Sequence, residues 1–257
     1  MSIYLVTGAS GGIGTAVCTR LASSGHRLIL AARDADRLKS LQASLPGAGH
    51  EIATVDMASD ESVEHFAQQL AALGVQLDGA VLMPPQPHAA NDPLPASDVW
   101  RTLFQTSFIG PLATLKAAIA HMHPDVSAGE RAKIVIVSGI SSAQVLGHYA
   151  TSNVIRTAWV GEAKTLAFAL GARNIHVNTL SLGGTLTPGY RASIEKRAAA
   201  AGQSFDERLD AETDNVPLRK YGEPAEVAVA IEGLLSPFSD HMTGLNILHD
   251  GGFTRAY

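Results

Sequence analysis

The sequence predicts an α/β fold, a doubly wound parallel sheet of about seven strands with helices on both faces, in a single domain. Three observations predict it. Short apolar runs alternate with helix-like stretches along all 257 residues, the pattern of a parallel sheet covered on both faces. Hydrophobic residues make up 46% of the chain, enough to fill one large core. Proline and glycine gather at 84–95 and 183–189, after the expected fourth and sixth strands, and loops at the carboxyl ends of parallel strands are where such sheets bind ligands.

The elements follow in order. Strands are expected near 3–6, 27–31, 51–55, 77–82, 133–138, 175–180 and 245–248, where apolar and β-branched residues run without interruption. Helices are expected between them, near 12–24, 34–44, 60–73, 97–122, 148–171, 188–212 and 224–235, with a break inside 188–212. Ser59 is placed to cap the third helix. There is no linker, repeat or low-complexity tract, so the domain spans 1–257, with 183–217 as a lid inserted within it.

Composition narrows the function classes. The formal charge is −5 and Lys and Arg are scattered, which leaves no footprint for nucleic acid or an anionic membrane. No apolar run approaches the ~20 residues of a bilayer span, and no signal peptide pattern precedes Ile3. A soluble, cytoplasmic protein is expected. The one cysteine, Cys18, falls in the first helix and reads as a small buried thiol.

The stretch Thr7 to Gly14, TGASGGIG, carries the strongest signal. It lies between an apolar strand and an apolar helix, the context that a dinucleotide loop requires. Gly8 permits the tight turn, Gly12 lets the backbone approach a pyrophosphate, and Gly14 lets the helix pack close to the sheet. With Ser10, Gly11 and Ile13 these residues form the expected phosphate cradle, since free N–H groups at a helix start favour negative charge. At the end of the second strand a carboxylate would favour NAD; here Ala32 is followed by Arg33, whose guanidinium suits a 2′-phosphate. NADPH is therefore the expected cofactor, with NAD(H) possible. The alternative for Arg33 is a solvated side chain paired with Asp34 or Asp36.

This loop, with three residues between Gly8 and Gly12, resembles that of the short-chain dehydrogenase/reductase family. The resemblance runs from Leu5 to Asp250-Gly251-Gly252. It implies a Rossmann fold, a nicotinamide cofactor, and an Asp-hydrophobe pair, here Asp56-Met57, that meets the adenine. It also implies that Thr187, in a stretch similar to the family's Pro-Gly-x-x-x-Thr, caps the cofactor amide or a phosphate; alternatively it N-caps the next helix.

The family's catalytic tetrad is degenerate here. Ser107 falls where the family has an Asn that bends a helix and holds a water. Gly139 falls on the catalytic Ser, with Ser138 one residue before it and Ser141 and Ser142 just after. Tyr149-Ala150-Thr151-Ser152-Asn153 keeps the Tyr of Tyr-x-x-x-Lys and replaces the Lys with Asn153. Positions i and i+4 share a helix face, so Tyr149 and Asn153 are expected side by side, with Asn153 holding the ribose. Arg156 near the same face is a partial substitute for the missing charge. Leu82-Met83-Pro84-Pro85 replaces the family's Asn-Asn-Ala-Gly, and Gln86 to His88 could reach a substrate.

These departures resemble an atypical branch whose members are similar to 3-oxoacyl-carrier-protein reductases. The implied activity is an NADPH-dependent oxidoreductase acting on a carbonyl or alcohol, or on a polarised double bond, with Tyr149 as proton donor and Ser138 or Ser141 orienting the substrate oxygen. Two alternatives stay open: a nucleotide-binding homologue without reductase activity, or a lyase or isomerase using bound cofactor as scaffold. Tyr190 and Arg191 are expected lid contacts. His121 and His123 read as a solvated helix end, so no metal is expected. A small-molecule substrate and a homotetramer or homodimer complete the expectation.

Overall fold

The computed structural model describes residues 1–87 and 90–255. Seven parallel strands form one sheet in the order β3-β2-β1-β4-β5-β6-β7. They are β1 (Ile3–Thr7), β2 (Arg27–Ala32), β3 (Glu51–Thr54), β4 (Gly79–Leu82), β5 (Ala132–Gly139), β6 (Ile175–Leu182) and β7 (Asn246–His249). Strand order reverses between β1 and β4, whose register pairs Leu5 with Ala80. A sheet of this kind opens a crevice at the carboxyl ends of strands where the order reverses.

Helices α1 (Gly12–Ser23), α2 (Ala35–Ser44) and α9 (Pro224–Leu235) cover one face of the sheet. Val17, Leu21, Leu38 and Ile231 pack there against Val6, Leu30 and Val135. On the other face lie α3 (Asp60–Leu73), α5 (Gly110–Ile119) and α6 (Ala150–Leu170). Phe66, Leu115 and Trp159 fill that core with Leu5, Ile134 and Ile136. Even and odd residues of a strand point to opposite faces, so an unbroken apolar run such as Ile134 to Val137 is what a two-sided core requires. Ser59 caps α3, accepting from the Ser62 N–H at 3.2 Å, as expected. No helix among the described residues is long and apolar enough to cross a membrane.

Two helices differ from the sequence expectation. The 97–122 stretch is not continuous: α4 (Ser97–Phe104) leads into a π-helical turn, Gln105–Ile109, before α5. The physical reason is Pro111, which has no N–H for the Ser107 carbonyl four residues back and whose ring crowds that carbonyl; the freed carbonyl accepts from the Trp159 indole N–H at 2.8 Å. Gly110 then lies so close to the α3 entry that a Cβ on it would stand 1.7 Å from the Met57 carbonyl oxygen. The second difference concerns α6, which begins at Ala150, leaving Tyr149 outside with φ −124° and ψ 37°. The 188–212 stretch is broken as expected, into α7 (Pro188–Ala201) and α8 (Phe205–Thr213).

Candidate active site

The glycine turn stands at the end of β1. Gly8 has φ 62°, a conformation costly for any residue with a side chain, and its carbonyl accepts from the Gly11 N–H at 2.9 Å. A Cβ on Gly14 would stand 2.1 Å from that carbonyl oxygen, so α1 seats on the turn only because residue 14 is glycine. Gly11 caps α1 without a side-chain hydrogen bond, which leaves first-turn N–H groups facing outward beside Ser10 and Gly12. Across from Gly12 lie Thr187 and Pro188, each 3.0 Å from where a Cβ would be. Thr187 caps α7, accepting from the Tyr190 N–H at 3.2 Å, and both it and Ile13 line the cavity beyond.

Arg33 stands exposed at the end of β2. Its acidic neighbours are engaged elsewhere: Asp34 accepts from the Asp36 and Arg37 N–H groups, and Asp36 pairs with Lys39. The structure also brings in Arg37, which the sequence analysis missed; its Nη2 donates to the Ser10 carbonyl at 2.6 Å. Asp56 accepts from the Ala58 N–H at 3.0 Å, and Met57 is buried against the sheet. An uncapped helix start, a glycine without a Cβ beside it and an exposed guanidinium at the end of β2 fit a phosphate-bearing dinucleotide.

A cavity of about 900 Å³ opens where β4, β5 and β6 end. Met83 and Pro84 form one wall, and Met83 N–H donates to Thr7 Oγ1 at 2.8 Å, tying the proline-rich loop to β1. His88 lies outside the described residues. Ser138 at the end of β5 borders the cavity, 4% exposed, and its Oγ is buried without a hydrogen-bond partner among the described residues. Ser141 is buried one turn on, and its Oγ accepts from Arg156 Nη1 at 3.2 Å. Ser107 is buried in the π-helical turn and is not among the cavity-lining residues described.

Tyr149 lines the cavity, but the expected pairing with Asn153 does not form. Tyr149 is the cap of α6 rather than a residue of its first turn. The Asn153 amide folds back on the preceding loop, donating to the Leu146 carbonyl at 3.1 Å and accepting from the Leu146 N–H at 3.4 Å. The helix residue whose side chain reaches the cavity is Arg156. Its Nε donates to Gln86 Oε1 at 3.1 Å, and its Cζ lies 5.2 Å from the centre of the Tyr149 ring. Burial lowers the guanidinium pKa from its ordinary value, yet arginine stays charged in proteins. Gly139 makes this placement possible, because a Cβ there would stand 2.6 Å from Cζ. Ser152, one turn before Arg156, is fully buried and donates to the Pro87 carbonyl at 3.3 Å.

Helices α7 and α8 border the far side of the cavity. Tyr190 lines the cavity, and burial pushes its phenol pKa up. Arg191 turns away and pairs with Glu223 at 2.7 Å. Helices α7 and α8 are joined through Glu212, which takes Arg197 at 2.8 Å and Arg208 at 2.7 Å.

Comparison with known proteins decides the family, for the model described as enoyl-(acyl carrier protein) reductase matches residues 8–254. The chain belongs to the short-chain dehydrogenase/reductase family. Among its relatives, glucose 1-dehydrogenase of Gluconobacter oxydans is 28% identical over 258 residues, covering 97% of this chain and 91% of that protein. Family structures share the fold. The L-sorbose reductase of Gluconobacter frateurii, solved with NADPH and L-sorbose, superimposes with a TM-score of 0.91 at 23% identity, covering 100% of this chain and 97% of that one. An NADPH-bound short-chain oxidoreductase of Pseudomonas aeruginosa PAO1 with an atypical catalytic centre gives 0.86 at 24%, covering 100% and 98%. This protein is thus a family oxidoreductase in which Arg156 occupies the space next to Gly139, where the family's catalytic serine was expected to fall.

Proposed function

We propose that the protein is an NADPH-dependent reductase of a carbonyl compound. The observation that carries this reading is the shared cavity: Ile13 in the first turn of α1, Ser138, whose hydroxyl has no partner among the described residues, and Tyr149 all border the space where β4, β5 and β6 end. Bound reduced nicotinamide supplies the hydride. The chain's own residues do the rest. The first turn of α1 and Thr187 hold the phosphate side, and Arg33 offers charge to a 2′-phosphate. Ser138 donates to the substrate oxygen, and Tyr149 gives that oxygen its proton as the hydride arrives at the carbon. A neutral phenol suits proton donation in this direction. The Arg156 guanidinium lies over the Tyr149 ring, its Cζ 5.2 Å from the ring centre.

A homodimer or homotetramer through α4 to α6 belongs to the same reading. Val99, Ile109, Val154 and Phe168, on those helices and the π-helical turn, expose large apolar side chains that a partner copy would cover. The test is calorimetric titration with NADPH and NADH, followed by a screen of ketones for nucleotide oxidation. Turnover that falls at least about a hundredfold in Tyr149→Phe with NADPH affinity retained supports the assignment. No binding of either nucleotide overturns it.

A further inference from the structure

Among the described residues, the Arg156 guanidinium is the cation of the cavity wall that has no carboxylate partner. It carries five N–H donors in a planar fork. Two of its nitrogens meet neutral oxygens, Gln86 Oε1 and Ser141 Oγ, and no carboxylate among the described residues acts on it. The acids of the same wall are committed elsewhere: Glu212 to Arg197 and Arg208, and Asp250 to the N–H groups of Gly252 at 2.9 Å and Thr254 at 2.8 Å. The guanidinium is partly buried in the wall, and Gly139 leaves it room, since a Cβ there would stand 2.6 Å from Cζ. Around the fork the wall is apolar, with Met83, Ile140 and Leu146.

We infer that the substrate is an oxo acid, with its carboxylate held by Arg156, its body against the apolar wall and its carbonyl at Tyr149 and Ser138. This rests on the reductase reading above. A carboxylate meets two N–H groups of a guanidinium at once, a geometry that neither an amide nor an alcohol reproduces. The counter-charge missing from the protein then arrives with the ligand.

The test uses binding, so it does not depend on turnover. Cyclohexanecarboxylate and cyclohexanecarboxamide are titrated by calorimetry into the protein with and without saturating NADPH. The carboxylate is expected to bind at least tenfold more tightly. That preference should vanish in Arg156→Gln and fall in Gly139→Ser, where the new side chain displaces the guanidinium while the charge is kept. Should Arg156→Gln fail to fold, Gly139→Ser carries the test. Equal affinity of the two probes overturns the inference, as does a preference that survives both substitutions. If Arg156→Gln instead loses NADPH affinity tenfold and the probes bind alike, Arg156 serves the cofactor and the inference falls. A carboxylate preference in a protein that binds no nucleotide would leave the anion seat standing and sink the reductase reading alone.

Discussion

Ser138→Ala separates a hydroxyl kept for chemistry from one kept for structure. The Oγ is buried and unpartnered, and a buried polar atom without a hydrogen bond costs about 1–3 kcal/mol. Alanine removes the orphan atom and leaves a void of less than one methyl group, which takes back part of the gain. A net stabilisation of about 1 kcal/mol is expected, raising the melting temperature by about 2–4 °C for a domain of this size. Activity should move the other way. Losing one donor to a developing oxyanion costs about a hundredfold in kcat, or ~2.7 kcal/mol. Thermal melting and steady-state reduction of the same preparation give both numbers. A variant destabilised by 1 kcal/mol or more would mean that the hydroxyl has a structural partner. One that keeps its turnover would remove Ser138 from the chemistry.

Arg33→Ala should weaken NADPH binding by about 10–100-fold, the worth of one or two charged hydrogen bonds, with NADH little changed; equal losses in calorimetry would take Arg33 off the phosphate. Gly110→Ala drives a methyl into a backbone carbonyl that cannot swing aside, so urea unfolding should show a loss of about 3 kcal/mol, and a loss below about 1 would contradict the close approach. The Arg197 hydrogen bond, with Arg208 beside it, holds the Glu212 carboxyl below its ordinary value. Its contribution to stability is therefore complete above that value and is lost as pH falls through the depressed one. Glu212→Gln should be less stable at neutral pH and lose less than the parent on acidification below about 4.5, and parallel pH curves for the two proteins would refute the pairing.

The local sequence determined the frame. Apolar runs of strand length, glycines where a Cβ would collide, and a capping serine at 59 act over a few residues, so they are readable without the fold. The glycine turn is of this kind: strand, turn and helix are consecutive in the chain, and the reason for Gly14 lies six residues away at Gly8. What the sequence did not show was which side chains meet across the sheet ends. Tyr149 and Asn153 have the spacing of a helical pair, yet the loop from 143 to 149 takes the Asn153 amide for Leu146 and moves the start of α6 to Ala150. The π-helical turn has a local cause in Pro111, but the indole that takes the freed Ser107 carbonyl comes from 52 residues further along the chain. Arg156 reaches its place because a glycine on β5, 17 positions earlier, leaves the space open, while its partners Gln86 and Ser141 come from two other loops. The sequence by itself therefore determined the doubly wound sheet and its nucleotide turn, whose causes are short-range. Only the tertiary structure decided which charge faces the cavity, because that depends on volume left empty by a residue from another element.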